Sequence, residues 1–181
     1  MQTIWILGAG GIGSALAELF VTKGHDVIVL SRAQPKACHG VYYSLDCTNS
    51  DAVDQWVAAQ NQTPDMIINT IGYLHDDQHR PEKSLRALSS DHLHTSIAVN
   101  TLPTAYMAQA LEKHVMTAAT NLLFVCLSAR VGSISDNRYG GWYSYRMSKA
   151  ALNMLIKNIG IEWQRQYPSV GIFGYQPGTV S

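Results

Sequence analysis

Short apolar runs alternate along this chain with stretches in which apolar residues recur three and four apart. Residues 3–7 (TIWIL) form the first run and stop at a cluster of glycines. Residues 14–23 follow with Leu16, Leu19 and Phe20 at helical spacing, so the order is strand, tight turn, helix. Residues 26–30 (DVIVL) are a second continuous apolar run, the mark of a parallel strand covered on both faces. Residues 41–45 read as a third strand, and 51–60 as a helix with Val53, Trp56 and Val57 on one face. Residues 65–70 (DMIINT) are a fourth strand, ended by Gly72. A polar loop over 73–81 leads into helical patterns over 85–100 and 103–115. Residues 121–127 (NLLFVCL) form a fifth strand, 143–166 a long helix and 170–175 a sixth strand. This alternation predicts an α/β fold, a doubly wound parallel sheet of Rossmann type with helices on both faces. No repeat, linker or low-complexity stretch divides the 181 residues, so 1–181 is expected to be one domain. Ligands of such sheets bind beyond the carboxyl ends of the strands, where strand order reverses. Candidate chemistry is therefore sought just after strands.

Charge narrows the partners. Thirteen basic residues balance thirteen acidic ones, which leaves no electrostatic footprint for nucleic acid or an anionic membrane surface. No uncharged apolar run approaches the roughly 18 residues of a membrane-spanning helix. Residues 1–7 begin a strand rather than a signal peptide, so a cytoplasmic location is expected. Only 14 % of residues are charged, against about 25 % in a typical domain. Between Asp91 and Arg130 the only Asp, Glu, Lys or Arg are Glu112 and Lys113, so extra surface there is expected to be covered by a ligand or another subunit. Cys38, Cys47 and Cys126 have neither a disulfide framework nor zinc-ligand spacing and read as ordinary thiols. His75, Asp76, Asp77 and His79 crowd one loop without the spacing of a metal site, so no metal is expected.

The glycine cluster has a sharper reading. Gly8, Gly10 and Gly13 in GAGGIG match GxGxxG, with Gly11 and Ile12 between them, and the motif joins a strand to a helix. Glycine permits the sharp turn and lets backbone amides approach a pyrophosphate, whose charge the helix N-terminus favours. A carboxylate after the second strand would select NAD through the ribose 2′-hydroxyl. The chain instead carries Ser31 and Arg32, suited to a 2′-phosphate, which favours NADP(H) over NAD(H).

Tyr145 and Lys149 form YxxxK inside a helical stretch, four apart and so on one helix face. A phenol has a reference pKa near about 10 and is a poor proton-transfer group at neutral pH unless its anion is stabilised. A nearby ammonium and a positive nicotinamide ring would lower it toward the working range.

At this point the chain resembles the short-chain dehydrogenase/reductase family, from Thr3 to its last residue. The resemblance is carried by the GAGGIG turn, Asp46 in LDCT, NTIG at residues 69–72, Asn100 in AVN, the YxxxK pair and Pro177-Gly178. The stretch SARVGSISDNRYGGWYSYRMSKAALN is similar to the branch that holds sniffer-type carbonyl reductases and C-factor-like proteins. The resemblance implies NADPH-dependent reduction of a carbonyl compound, or the reverse alcohol oxidation, with Tyr145 as general acid. It implies Lys149 on the nicotinamide ribose and Asn100 anchoring a water that relays protons. Asp46 and Cys47 would meet the adenine, Asn69, Thr70, Ile71 and Gly72 the adenosine ribose, and Pro177, Gly178 and Val180 the nicotinamide end. It also implies a homodimer or homotetramer.

Two departures stand out. The phosphate turn is one residue shorter than the family's GxxxGxG. The position of the family's catalytic serine, three before Gly132, holds Ala129. Ser128 is adjacent and Ser133 follows the glycine; Ser128 is the favoured replacement, Ser133 the alternative, and a third possibility leaves the oxyanion to Tyr145 with water. Ala129 also supports a competing reading, a signalling or regulatory protein that keeps the cofactor and has lost the chemistry. Finally, the family continues past the position of Ser181 through a substrate loop, a helix and a seventh strand, so the chain is expected to be a fragment, with the carbonyl or alcohol substrate's specificity loop lying beyond it.

Overall fold

A computed structural model of the chain describes residues 1–61 and 63–178. Six strands, β1 (Thr3–Leu7), β2 (Asp26–Ser31), β3 (Val41–Ser44), β4 (Met66–Asn69), β5 (Leu122–Leu127) and β6 (Val170–Tyr175), run parallel in the order β3-β2-β1-β4-β5-β6. The connecting helices are α1 (Gly11–Thr22), α2 (Ser50–Ala58), α3 (Ser90–Asn100), α4 (Leu102–His114) and α5 (Tyr143–Gln166). The expected Rossmann-type sheet is therefore the observed one.

The strands read as unbroken apolar runs because both faces of the sheet are packed. On one face Trp5, Leu7, Leu30, Ile67, Phe124 and Cys126 join Val53, Met107, Leu111, Leu152 and Ile156 from α2, α4 and α5. On the other, Ile4, Ile6, Val27, Val29 and Ile68 meet Ala17, Leu16 and Phe20 of α1. Over β5 and β6 this second face is more open: Leu123, Phe173 and Tyr175 are exposed. The chain runs outward from β1 through β2 to β3, then returns to the other side of β1 as β4. Strand order thus reverses between Leu7 and Asn69, which sit side by side at the carboxyl ends.

One predicted element is divided. The helical pattern over 85–100 becomes a 3-10 turn at Leu85–Ala87, an extended Leu88 (φ −64°, ψ 122°) and then α3. The cause is Ser89, whose side chain accepts the His92 N–H at 3.3 Å and so starts a new helix, with Asp91 in its first turn. A second 3-10 turn, Arg130–Gly132, follows β5, and Trp142 enters α5 in the left-handed conformation (φ 53°) behind Gly140 and Gly141, also at positive φ.

Candidate active site

At the reversal point a cleft of about 220 Å3 opens, walled by the residues that follow four strands. Gly8 and Gly10 come from the end of β1, Ser31 and Arg32 from β2, Asp46 and Cys47 from beyond β3, and Thr70, Ile71 and Gly72 from β4. Its glycines divide by role. Gly8 has φ +95°, and a Cβ on Gly13 would lie 2.0 Å from the Gly8 carbonyl oxygen, so these two build the turn. A Cβ on Gly10 or Gly11 would meet no protein atom within 4 Å. Ile12 is half-buried in the same turn of α1, which begins with no side-chain cap and no acidic residue. Bare N–H groups, a positive helix end and open space together fit a dinucleotide pyrophosphate. Asp46 faces this cleft with its carboxyl held below its ordinary value, chiefly by the Thr48 hydroxyl and also by the Arg32 guanidinium. Burial pushes the neighbouring Cys47 thiol up to about 12, so it is an inert thiol there. Thr70 turns its hydroxyl to the Leu7 and Gly8 carbonyls, and Asn69 donates to Thr104 while accepting from the Ile71 N–H. These two side chains hold the wall in place.

The second group of residues gathers on α5 and α3. The Lys149 ammonium is buried, donates to the Leu127 carbonyl at 2.9 Å at the end of β5, and lies 5.8 Å from the centre of the Tyr145 ring. Burial pulls this lysine from 10.5 to about 8. Burial also raises the Tyr145 phenol, so the lowering expected from the neighbouring ammonium is not what Lys149 alone produces in this arrangement. Gly132 explains the close seating of the turn after β5: a Cβ there would lie 2.8 Å from the Lys149 carbonyl carbon and 2.9 Å from its Cβ. Asn100 donates to the Tyr73 carbonyl (2.8 Å) and to the Ser148 hydroxyl (2.9 Å) and accepts the Tyr73 N–H (2.8 Å). Both of its amide donors are therefore in use.

Ser128 is buried, with its hydroxyl donating to Asn153 Oδ1 at 2.6 Å. Asn153 stands eight residues along α5 from Tyr145, about 12 Å by helical rise. Ser133 sits in an exposed loop and accepts the Asp136 N–H at 3.3 Å. Pro177 and Gly178 follow β6, two strands away from the cleft, and Val180 lies outside the described residues.

One polar group buried against the start of α5 belongs to none of the sequence motifs. Glu82 accepts the Ser144 N–H at 3.3 Å on each carboxylate oxygen, and the Ser144 hydroxyl as well. Its main-chain carbonyl accepts the Trp142 N–H at 2.5 Å. His92 places Nδ1 3.2 Å from Glu82 Oε1 and Nε2 3.3 Å from the Leu74 carbonyl. Burial alone would raise the Glu82 carboxyl, but the Ser144 bonds and His92 outweigh it and hold it below the usual carboxylate range. The signal in the sequence is the spacing of His92, Ser96 and Asn100, which puts three polar residues on one buried face of α3. Of the crowded loop, His75, Asp76 and Asp77 are exposed, while His79 stacks on His92 (5.0 Å, 21°).

Comparison with known proteins identifies the family and the fold. A family model described as enoyl-(acyl carrier protein) reductase matches residues 8–169. A 1-hydroxy-2-glutathionyl-2-methyl-3-butene dehydrogenase of Rhodococcus sp. is 27 % identical over 189 residues, covering 100 % of this chain and 79 % of that protein. A putative short-chain dehydrogenase/reductase from Burkholderia multivorans, solved with bound NADP, superposes with TM-score 0.82 at 24 % identity, over 98 % of this chain and 79 % of its own. The carbonyl reductase Sniffer of D. melanogaster gives TM-score 0.80 at 22 % identity, over 98 % and 81 %.

Proposed function

The chain belongs to the short-chain dehydrogenase/reductase family, NAD(P)-dependent oxidoreductases of carbonyl and alcohol groups, and from that premise we propose that it reduces a carbonyl compound with NADPH, Tyr145 delivering the proton. The observation that carries the reading is the placement of Lys149. An ammonium buried at the carboxyl end of β5, on the helix face below Tyr145, has no packing purpose, since its burial disfavours the charge.

The cofactor, when bound, supplies the hydride. The chain's residues do the rest. The α1 N-terminus and the open space at Gly10 and Gly11 receive the pyrophosphate, Ser31 and Arg32 the 2′-phosphate, and Asp46 the adenine. Cys47, Thr70, Ile71 and Gly72 line the adenosine, with Asn69 holding that wall; Pro177 and Gly178 belong to the nicotinamide end. Lys149 reaches the nicotinamide ribose, and its positive charge favours the Tyr145 phenolate left after proton transfer. Asn100 serves by tying the Tyr73 backbone to Ser148 of α5. Ser128 can reach substrate only by giving up Asn153, so we assign the contact with the developing oxyanion to the Tyr145 hydroxyl. A large loss of turnover in Ser128→Ala would return that serine to the chemistry.

The reading is tested by NADPH oxidation with a panel of aldehydes, ketones and quinones. Tyr145→Phe is expected to lower kcat by about 100- to 10,000-fold with NADPH binding unchanged. Cofactor binding without turnover on any substrate would favour the regulatory reading that Ala129 suggests. For assembly, Met147, Met154 and Ile161 form an exposed apolar stripe at seven-residue spacing on α5, which supports a homo-oligomer and is checked by light scattering. The described helices include none long and apolar enough to cross a membrane, and free thiols at Cys38, Cys47 and Cys126 suit the cytoplasm.

A further inference from the structure

We propose that Glu82, braced by His92, is the positioning residue for Tyr145: a carboxylate from the segment after β4 that caps the start of α5 from outside the helix. This rests on Tyr145 being the proton donor.

The start of α5 has no fastening of its own. Its N-cap, Trp142, is in the left-handed conformation without a side-chain cap bond, the two residues before it are glycines at positive φ, and its first turn holds no acidic residue. A helix end of this kind frays unless its N–H groups find acceptors. Glu82 provides them from far back in the sequence: its carbonyl takes the Trp142 N–H, and its carboxylate takes the Ser144 N–H and hydroxyl, 62 residues on. Tyr145 is the next residue. A carboxylate at a helix N-terminus is also favoured by the helix dipole.

The brace matters as much as the cap. Glu82 and His92 are 3 % and 1 % exposed, so the carboxylate could not keep one orientation, or its charge, without a partner. His92 supplies that partner from α3 at Nδ1, and its Nε2 faces the Leu74 carbonyl, so each ring nitrogen has an acceptor for a proton. At its other end α3 holds the same segment through Asn100 and Tyr73. The segment from Tyr73 to Glu82 is thus pinned at both ends, and the position of Glu82 is transmitted to Tyr145 through one peptide unit.

The test uses the full chain. In Glu82→Ala, kcat per NADPH-binding site, at saturating cofactor, is expected to fall by at least about tenfold, with KM for NADPH within about twofold, because the cleft between β1 and β4 is untouched. Glu82→Gln keeps the shape and an acceptor for the Ser144 N–H and is expected to recover most of that loss. Hydrogen exchange of the peptide spanning 142–147, measured without substrate, is expected to accelerate at least about tenfold in Glu82→Ala while the rest of α5 stays protected. Wild-type kcat in Glu82→Ala, or unchanged exchange at 142–147, would overturn the proposal. If Glu82→Ala does not fold, His92→Gln is read by the same exchange measurement, and unchanged exchange there overturns it equally. Retained activity in Tyr145→Phe would instead refute the role of Tyr145, leaving the exchange result to judge the cap alone.

Discussion

Replacing Lys149 by Met should lower the protein's stability relative to wild type as pH rises from 7 to 9.5. In the fold the ammonium is 3 % exposed and its pKa is pulled from 10.5 to about 8, so burial disfavours the charged form. At 1.36 kcal/mol per unit this amounts to about 3 kcal/mol of penalty while the group is charged. The sign follows from linkage. Below pH 8 both states hold the proton and the penalty is complete. Between pH 8 and 10.5 the unfolded chain binds a proton that the fold releases, so this group's contribution to stability rises with pH. At pH 9.5 about 1.4 kcal/mol of the penalty remains, so about 2 kcal/mol is relieved between pH 7 and 9.5.

Methionine has a similar length and no charge, so Lys149→Met removes that pH-dependent part and loses the bond to the Leu127 carbonyl, worth about 1.5–3 kcal/mol as a charged hydrogen bond. The charge-dependent part of that bond is already contained in the folded pKa of about 8, and the part a neutral amine keeps cancels when the two pH values are compared. Cys47 and Cys126, each raised to about 12 by burial, cost stability as pH rises past 9; Lys149 lowers the Cys126 thiol, so removing the ammonium adds to the variant's fall and does not offset it. Denaturant unfolding of wild type and Lys149→Met at pH 7 and pH 9.5 measures the quantity directly. The variant's stability relative to wild type is expected to fall by about 2 kcal/mol across that interval. A relative stability that stays flat would refute the claim that the lysine's charge is held at a cost.

Arg32→Ala should raise KM for NADPH by about 10- to 100-fold and leave KM for NADH nearly unchanged, as expected for a charged hydrogen bond to a 2′-phosphate. Gly13→Ala should lower the unfolding midpoint, since its Cβ would sit 2.0 Å from the Gly8 carbonyl, at a penalty of about 1–3 kcal/mol or more. Gly10→Ala meets no protein atom and should unfold like wild type, yet bind NADPH at least about tenfold more weakly by fluorescence titration, because the methyl enters the phosphate space. Ser96→Ala should be neutral or stabilising by denaturant unfolding, because its buried hydroxyl has no partner among the described residues. Ser148→Ala should lose about 1–3 kcal/mol in the same assay by stripping Asn100 of an acceptor.

Much of this arrangement was legible in one dimension because it rests on periodicity and on glycine. Both-face burial makes β1, β2, β4 and β5 continuous apolar runs, and the reversal of strand order then puts Gly8, Arg32, Asp46 and Thr70 at one cleft. Tyr145 and Lys149 share a face by helical spacing alone. What stayed hidden depends on side-chain direction at the ends of elements. Ser128 adjoins the position where the family keeps its serine, yet its hydroxyl turns to Asn153, because alternation along β5 aims it at α5. Glu82 sits in a segment without period, and only the folded chain brings it 62 residues forward to Ser144.

The polar character of α3 has the same origin. A helix carrying His92, Ser96 and Asn100 at four-residue intervals looks as though that face should be solvated, yet all three are buried. For His92 and Asn100 the reason lies in the segment over 73–82, which leaves β4 at the cleft and crosses to α5 without regular structure. The Tyr73 N–H and the Tyr73 and Leu74 carbonyls are half-buried away from any strand partner, and such groups call for pairing. Asn100 answers the Tyr73 N–H and carbonyl, and His92 faces the Leu74 carbonyl and the Glu82 carboxylate. Across the seam, Ser144 and Ser148 on α5 are small enough to admit these bonds, and each takes one of them or passes it on. The irregular segment and the polar helix face therefore require each other. Their joint effect is to fasten the wall of the cleft, through α3, to the two turns of α5 that carry Tyr145 and Lys149.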